Sequence, residues 1–274
     1  MTEAQKIIKY FALAFAIFLI IGIVAGIVGS LSFVTLMVTD NEPSTVETYK
    51  EYSIGEVSKL DIDIPASEFE IRVGESFTLT SNHDDLKINE SSDTLKVIDT
   101  KRKFKFNETP HKVILTVPYD HEFEDVKIKT GAARMKIALL CTQELDFELG
   151  AGEVILEGVT VYEDTKLKGG AGALDISNCT FNDLDMKIGV GESNITAAIL
   201  GESKIECSVG ECNLNLIKDL KTDYTLKIEK GIGAVEVDDK YVEDGAVVGT
   251  GDNEIDIKCG VGAVEIDFVT NNTI

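Results

Sequence analysis

Three kinds of side chain in this sequence have the chemistry to build a site: carboxylates that recur at fixed offsets, thiols, and imidazoles. Glu153, Glu192 and Glu211 each follow directly on a glycine-containing turn, while Asp175 and Asn194 share an offset two residues later. If those turns stack, carboxylates about 5 Å apart repel, and an oxygen-seeking Ca²⁺ relieves the repulsion. Ala173 interrupts the row after Glu153, so only Glu192 and Glu211 are neighbours and calcium candidates. A solvated outer face is the plainer reading of the same row. The five cysteines cannot all pair within the chain. Cys207 and Cys212 are close enough for a short-loop disulfide, or pack as buried free thiols beside Cys179 and Cys259, with Cys141 outward. His83, His111 and His121 show no metal-ligand spacing, and no Ser or Asp stands out as a partner, so no catalytic residue and no cofactor are expected. An enzyme would need a cleft near those histidines.

The glycines are more informative. The stretch KLKGGAGALDIS, Lys166 to Ser177, has the composition of a phosphate loop or a calcium turn. A phosphate loop opens a helix, whereas LDIS begins a strand. A GGxGxD calcium repeat needs Asp at its sixth position, where Leu174 stands instead. The remaining reading is a corner in a repeating structure.

Seven copies support it: IKTGAARMKI, FELGAGEVIL, LKGGAGALDI, MKIGVGESNI, IECSVGECNL, IEKGIGAVEV and IKCGVGAVEI. Their corner residues are Ala133, Gly152, Gly172, Gly191, Gly210, Gly233 and Gly262, at steps of 19, 20, 19, 19, 23 and 29 residues. Five positions before the corner stand Ile128, Phe147, Leu167, Met186, Ile205, Ile228 and Ile257. Four after it stand Ile137, Leu156, Ile176, Ile195, Leu214, Val237 and Ile266. A small or medium apolar residue, from Ala132 to Val261, sits one before. Alternation on each flank with a slip of parity at the glycine describes two strands joined by a bend. A third apolar pair, seven and nine after the corner (Val159 and Val161, Cys179 and Phe181, Ala198 and Leu200), predicts a third short strand. The fold class expected is all-β, a single-stranded parallel β-solenoid with coils of about 20 residues. Residues 131–274 form its regular part, and 55–130, less regular but strand-rich, form first coils or a β cap.

Ahead of this lies Tyr10–Val38, 29 residues without a charge. About 20 span a bilayer, and a signal-peptide core runs only to about 15, so an uncleaved transmembrane helix is expected. Lys6 and Lys9 before it, with Asp40 and Glu42 after, place residues 1–9 in the cytoplasm and the C-terminal part outside a plasma membrane, in one pass. Gly22, Gly26 and Ser30 have the small-xxx-small spacing that lets two such helices approach, a homodimer contact. Residues 39–54 read as a stalk. The net charge of −22 disfavours nucleic acid and suits a cationic partner, or solubility alone. Against it stands a basic cluster, Lys101, Arg102, Lys103 and Lys105, interleaved with Phe104 and Phe106. It suits anionic lipid or wall polymer, or a charged edge that blocks aggregation.

The run VILTVPYDHEFEDVKIKTGAARMKI, leading into FELGAGEVIL, LKGGAGALDI and MKIGVGESNI and closing with GVGAVEIDF, resembles the DUF4097 adhesin family of bacterial β-strand-repeat envelope proteins over about Gly55 to Phe268. The resemblance implies an envelope-exposed solenoid, in some members tied to envelope-stress regulation, and carries over no functional residue. The expected function is a non-catalytic, membrane-anchored surface solenoid that presents a rigid acidic face to an envelope or protein partner. The alternative is an accessory protein in envelope-stress sensing through membrane partners.

Overall fold

In the computed structural model residues 49–100, 111–219 and 222–270 are described, and every regular element among them is a β-strand. Seven short strands come first: β1 (Lys50–Ser53), β2 (Lys59–Ile64), β3 (Glu68–Gly74), β4 (Thr78–Ser81), β5 (Leu86–Ser91), β6 (Thr94–Asp99) and β7 (Lys112–Pro118). The repeats follow as β8 (Glu122–Ala138), β9 (Cys141–Glu157), β10 (Thr160–Val161), β11 (Thr165–Asn182), β12 (Leu184–Leu200), β13 (Glu202–Lys218) and β14 (Tyr224–Val237). Two short strands, β15 (Lys240–Tyr241) and β16 (Val247–Gly249), precede the last long one, β17 (Asn253–Thr270).

Each long strand has two legs, and burial changes parity between them. In β12 Leu184, Met186 and Ile188 are buried before the corner, and Ser193, Ile195, Ala197 and Ile199 after it. The fourteen residues five before and four after the corners are all core, none more than 5% exposed. Each buried Leu, Ile or Phe contributes about 1.5–3 kcal/mol against leaving it in water. The legs are not separate strands: β9, β12 and β13 run 17 residues through the bend, because their neighbours bend at the same place. The third leg differs from expectation in one copy. Cys179 and Phe181 pair in register with Ala197 and Ile199, so those face the core and Ala198 and Leu200 do not. β11 carries one extra residue, a bulge between Ile176 and Cys179 where Asn178 takes φ 53°, and β12 lacks it. A one-residue slip exchanges the faces of a strand.

The corners stack in register: Ala133 on Gly152, Gly172, Gly191, Gly210, then Gly262 and Gly233, all in parallel pairs. Gly172 shows why the residue is glycine. Its φ is 148°, and a Cβ there would lie 1.9 Å from the carbonyl oxygen of Gly152 in the coil below. Corner side chains would point along the stack into the next backbone, not into the core or solvent.

The order of the stack departs from the order of the sequence. β17 pairs on one edge with β13 and on the other with β14, so the last repeat is inserted before the one preceding it. The long steps of 23 and 29 residues are the crossing there and the return. Two rows of outward charges fit the inserted order. Six residues before the corner, neighbours read Lys96, Asp61, Lys127, Asp146, Lys166, Asp185, Lys204, Asp256, Lys227, alternating without a break. Two residues on, Glu206, Lys258 and Glu229 alternate likewise. Stacking in sequence order would set Lys204 against Lys227 and Glu206 against Glu229, and like charges directly opposite destabilise a strand pair.

The two ends are closed differently. β2 and β3 form one more coil: β2 pairs in parallel with β8 before the corner, and β3 after it. Pro65 to Ser67 turn its corner, and the Pro65 carbonyl accepts the Ala132 amide at 2.9 Å. β6 and β7 lie parallel on β2 and β3, and β5, β4 and β1 then run antiparallel, ending the stack. β1 falls inside residues 39–54, the stretch expected as a stalk, and is instead a strand of the sheet. At the other end β15 and β16 pair antiparallel with β14, and the Asp244 carboxylate accepts the Lys230 amide at 2.8 Å. These contacts occupy edge groups on which another chain would add a strand.

Candidate functional site

The legs after the corner form a wall of one charge sign. In the second legs of β9, β11, β12, β13, β17 and β14 the only basic residue is Lys218. Their outward positions carry Glu153, Glu157, Asp175, Glu192, Glu211, Glu265, Asp267 and Glu236. Glu153 alone is neutralised, by Arg134 of β8 at 2.9 Å. On the first legs, by contrast, carboxylates meet lysines: Glu148 lies 3.1 Å from Lys129 and 3.4 Å from Lys168. Lys129 first, then Lys168, holds the Glu148 carboxyl below its usual range.

Glu192 and Glu211 are register neighbours, both exposed. Asn194 donates to Glu192 at 3.3 Å and to Asp175 at 3.1 Å; Asn213 donates to Glu211 at 3.5 Å and to the Asn194 oxygen at 3.0 Å. A ladder of amide N–H groups thus runs between the carboxylates, supplying donors where a cation needs oxygens. Glu265 pairs in register with Asn213 and with Glu236, extending the row as carboxylates. Among the described residues no group of three or more His, Cys, Asp or Glu is arranged to hold a metal ion.

All five cysteines are free, Cys141 half-buried and the others buried. Burial pushes the Cys179 thiol up to about 11, which makes it inert at neutral pH. Cys207 and Cys259, far apart in sequence, become register partners through the insertion of β17.

The histidines converge on a buried polar network that no spacing in the sequence announces. His83 Nε2 lies 2.9 Å from Asp99, whose other oxygen accepts the Ser67 hydroxyl at 2.9 Å. His83 Nδ1 accepts the Asp85 amide at 3.0 Å, which assigns the proton to Nε2, and His111 stacks on the ring at 4.2 Å. Asp99 stands between Ser67 and His83, so the imidazole is not set to take a hydroxyl proton. Ser67, His83 and Asp99 are at most 2% exposed. The network ties the Pro65–Ser67 corner to the end of β6 and the turn after β4.

A further feature is an apolar ridge along the corners. The residues one before each corner point outward, growing from Ala132 and Ala151 to Val190 at 37% and Ile232 at 57% exposure. The segment expected as an anchor helix, with Gly22, Gly26 and Ser30, and the basic cluster Lys101, Arg102, Lys103 and Lys105 lie outside the described residues. Among the described residues no helix is long and apolar enough to cross a membrane.

Parallel coils stacked on glycine corners, with a one-signed wall and no catalytic constellation among the described residues, define a repeat-built all-β protein. The chain belongs to the Toastrack DUF4097 family, whose model matches residues 50–266. Among solved structures it is similar to a putative cell adhesion protein from Clostridium sporogenes, at 16% identity and TM-score 0.41, covering 81% of this chain and 99% of that one. It is also similar to a putative adhesin from Bacteroides fragilis, at 16% identity and TM-score 0.42, covering 82% and 98%. A putative lipid binding protein from Parabacteroides distasonis follows at 14% identity and TM-score 0.33, covering 81% and 96%. Likenesses this distant say nothing of what this chain binds. No curated protein matches it.

Proposed function

We propose that this protein is a non-catalytic surface module, held to a membrane by Tyr10–Val38 with its N-terminus inside, whose acidic wall binds a cationic partner of the envelope or of another cell. The observation that carries this is the contrast between the two walls. Lysines stand between the carboxylates in the central rows of the first legs, whereas Asp175, Glu192, Glu211, Glu265 and Glu236 stack with no cation opposite. A one-signed, regularly spaced surface on a rigid support raises the local concentration of an oppositely charged ligand. The family supports an adhesin-like role, and the run of uncharged residues supports the anchor.

The test is binding of the full chain, in detergent micelles, to immobilised polylysine at increasing salt. Replacing Glu192, Glu211, Glu236 and Glu265 together by Gln is expected to weaken capture by roughly tenfold at low salt. The first-leg pair Asp146→Asn and Asp185→Asn is expected to change it less than about twofold. Equal losses in the two sets, or capture that ignores salt, would overturn the reading.

A further inference from the structure

The insertion of β17 brings together three thiols that the sequence keeps apart. Cys207 on β13 and Cys259 on β17 are direct register partners, and both point inward. The Cys212 thiol, from the far side of the same corner, lies beside Cys207, and together with burial holds the Cys207 thiol well above its usual range. None of the three is in a disulfide. The next position of the row, beyond Cys259, is Lys230, whose ammonium donates to the Val242 carbonyl at 3.2 Å.

These sulfurs are not sealed in. A groove of about 610 Å³ is lined by Cys207, Cys259, Lys230 and, two before the corners, Ser208, Gly260 and Gly231. Two of those three rim residues have no side chain, so the floor of the groove is open to small solutes, and Cys207 and Cys259 keep 9% and 5% exposure.

We propose that Cys207 and Cys259 form a two-coordinate site for a soft monovalent cation, Cu(I) or Ag(I). Residues in register on adjacent strands are about 4.8 Å apart. Two metal–sulfur bonds of about 2.3 Å laid end to end span about 4.6 Å, close to that backbone spacing, so turning the Cys259 sulfur from the Gly233 side toward Cys207 completes a linear S–M–S unit with both strands in place. Thiolate donors select soft cations, and two-coordination is satisfied without the third ligand that zinc or calcium would require. The balance is M⁺ + 2 RSH → [M(SR)₂]⁻ + 2 H⁺: both thiol protons leave to solvent through the groove and no redox step occurs. The complex carries one negative charge, which Lys230 beside Cys259 offsets in a groove that also holds Glu206, Asp244 and the Lys258–Glu229 ion pair. This site is independent of the acidic wall.

The experiment is an anaerobic titration of the reduced full chain in detergent with Cu(I), in competition with a chromogenic Cu(I) chelator. One equivalent per chain is expected to bind. Cys207→Ser and Cys259→Ser should each weaken binding by about 100-fold or more, and Lys230→Gln by about tenfold. Cys141→Ser and Cys179→Ser should change it less than about twofold, and melting curves of the apo variants establish that each folds. Binding that survives in the Cys207→Ser, Cys259→Ser double variant, or that follows the total number of thiols, would overturn the proposal. So would a reduced chain that binds no Cu(I) yet loses two thiols on treatment with a small-molecule disulfide, which would make the pair a disulfide latch instead.

Discussion

Asp256 stands in register beside Lys204, in the place that the next sequence repeat would have given to Lys227. Lys227 lies on the far side of Asp256, and its ammonium pairs with Glu254 of the same inserted strand. Asp256→Lys is therefore expected to put three ammonium groups in series and lower the melting temperature by a few degrees, the more so at low salt. Adding Lys227→Asp removes one of the two new like-charge pairs and should recover part of the loss. A double-mutant cycle read by thermal unfolding at two ionic strengths checks both; additive effects would remove the coupling.

Glycines should be intolerant where an added Cβ meets backbone, as at the corners, and tolerant where it meets nothing, as in the turn before β16. Gly172→Ala is expected to cost about 3 kcal/mol or more, combining positive φ with a carbonyl in the way. Gly245, also at positive φ but with nothing within 4 Å, should cost only about 1 kcal/mol as Ala. Urea denaturation of the two variants measures the difference.

Stability should fall at alkaline pH in a window set by two buried groups. Burial raises the Cys179 thiol from 9.0 to about 11 and the Tyr224 phenol from 10.0 to about 12. Both are neutral when protonated, so the unfolded chain ionises first. Their contribution is complete below pH 9 and is lost as pH rises through 11 and 12. Tyr224→Phe should flatten the curve between pH 10 and 12. At neutral pH it should cost about 1–3 kcal/mol, because the hydroxyl donates to the Ile217 carbonyl at 2.7 Å. The urea midpoint as a function of pH follows both.

Calcium should have little effect. With Asn194 and Asn213 presenting amide hydrogens to Glu192 and Glu211, millimolar Ca²⁺ is expected to move the melting temperature by less than about 1 °C. A rise of several degrees, abolished by Glu192→Gln, would show that the amides turn over to offer oxygens.

How far the sequence discloses this molecule depends on whether a constraint is local. The columns that hold Met186, Ile205 and Ile257 are set by alternation along a few residues, and so is the corner parity. Strand order is not local. It rests on which charges tolerate being neighbours, and the sign of Asp256 against Lys204 and Lys227 acquires meaning only once the columns are aligned. The Cys207–Cys259 pair is hidden for the same reason. His83 and Ser67 belong to two different turns of the irregular half and Asp99 to the end of β6, and only tertiary pairing brings them together. The slip at Ala198 came from one bulged residue, Asn178, whose φ no periodicity reveals.

Because β17 occupies the gap between β13 and β14, the final layers cannot be completed in the order in which the chain leaves the ribosome. β14 emerges with no partner it can accept, since closing directly on β13 would confront Lys204 with Lys227. It must wait until residues 253–270 have been made and threaded into place. Coils from β8 to β13 can accrete one by one during synthesis, whereas the β14 end sets only after elongation has passed Thr270. A translational pause or a truncation upstream of that point leaves an adhesive, half-finished edge for quality-control proteases to find.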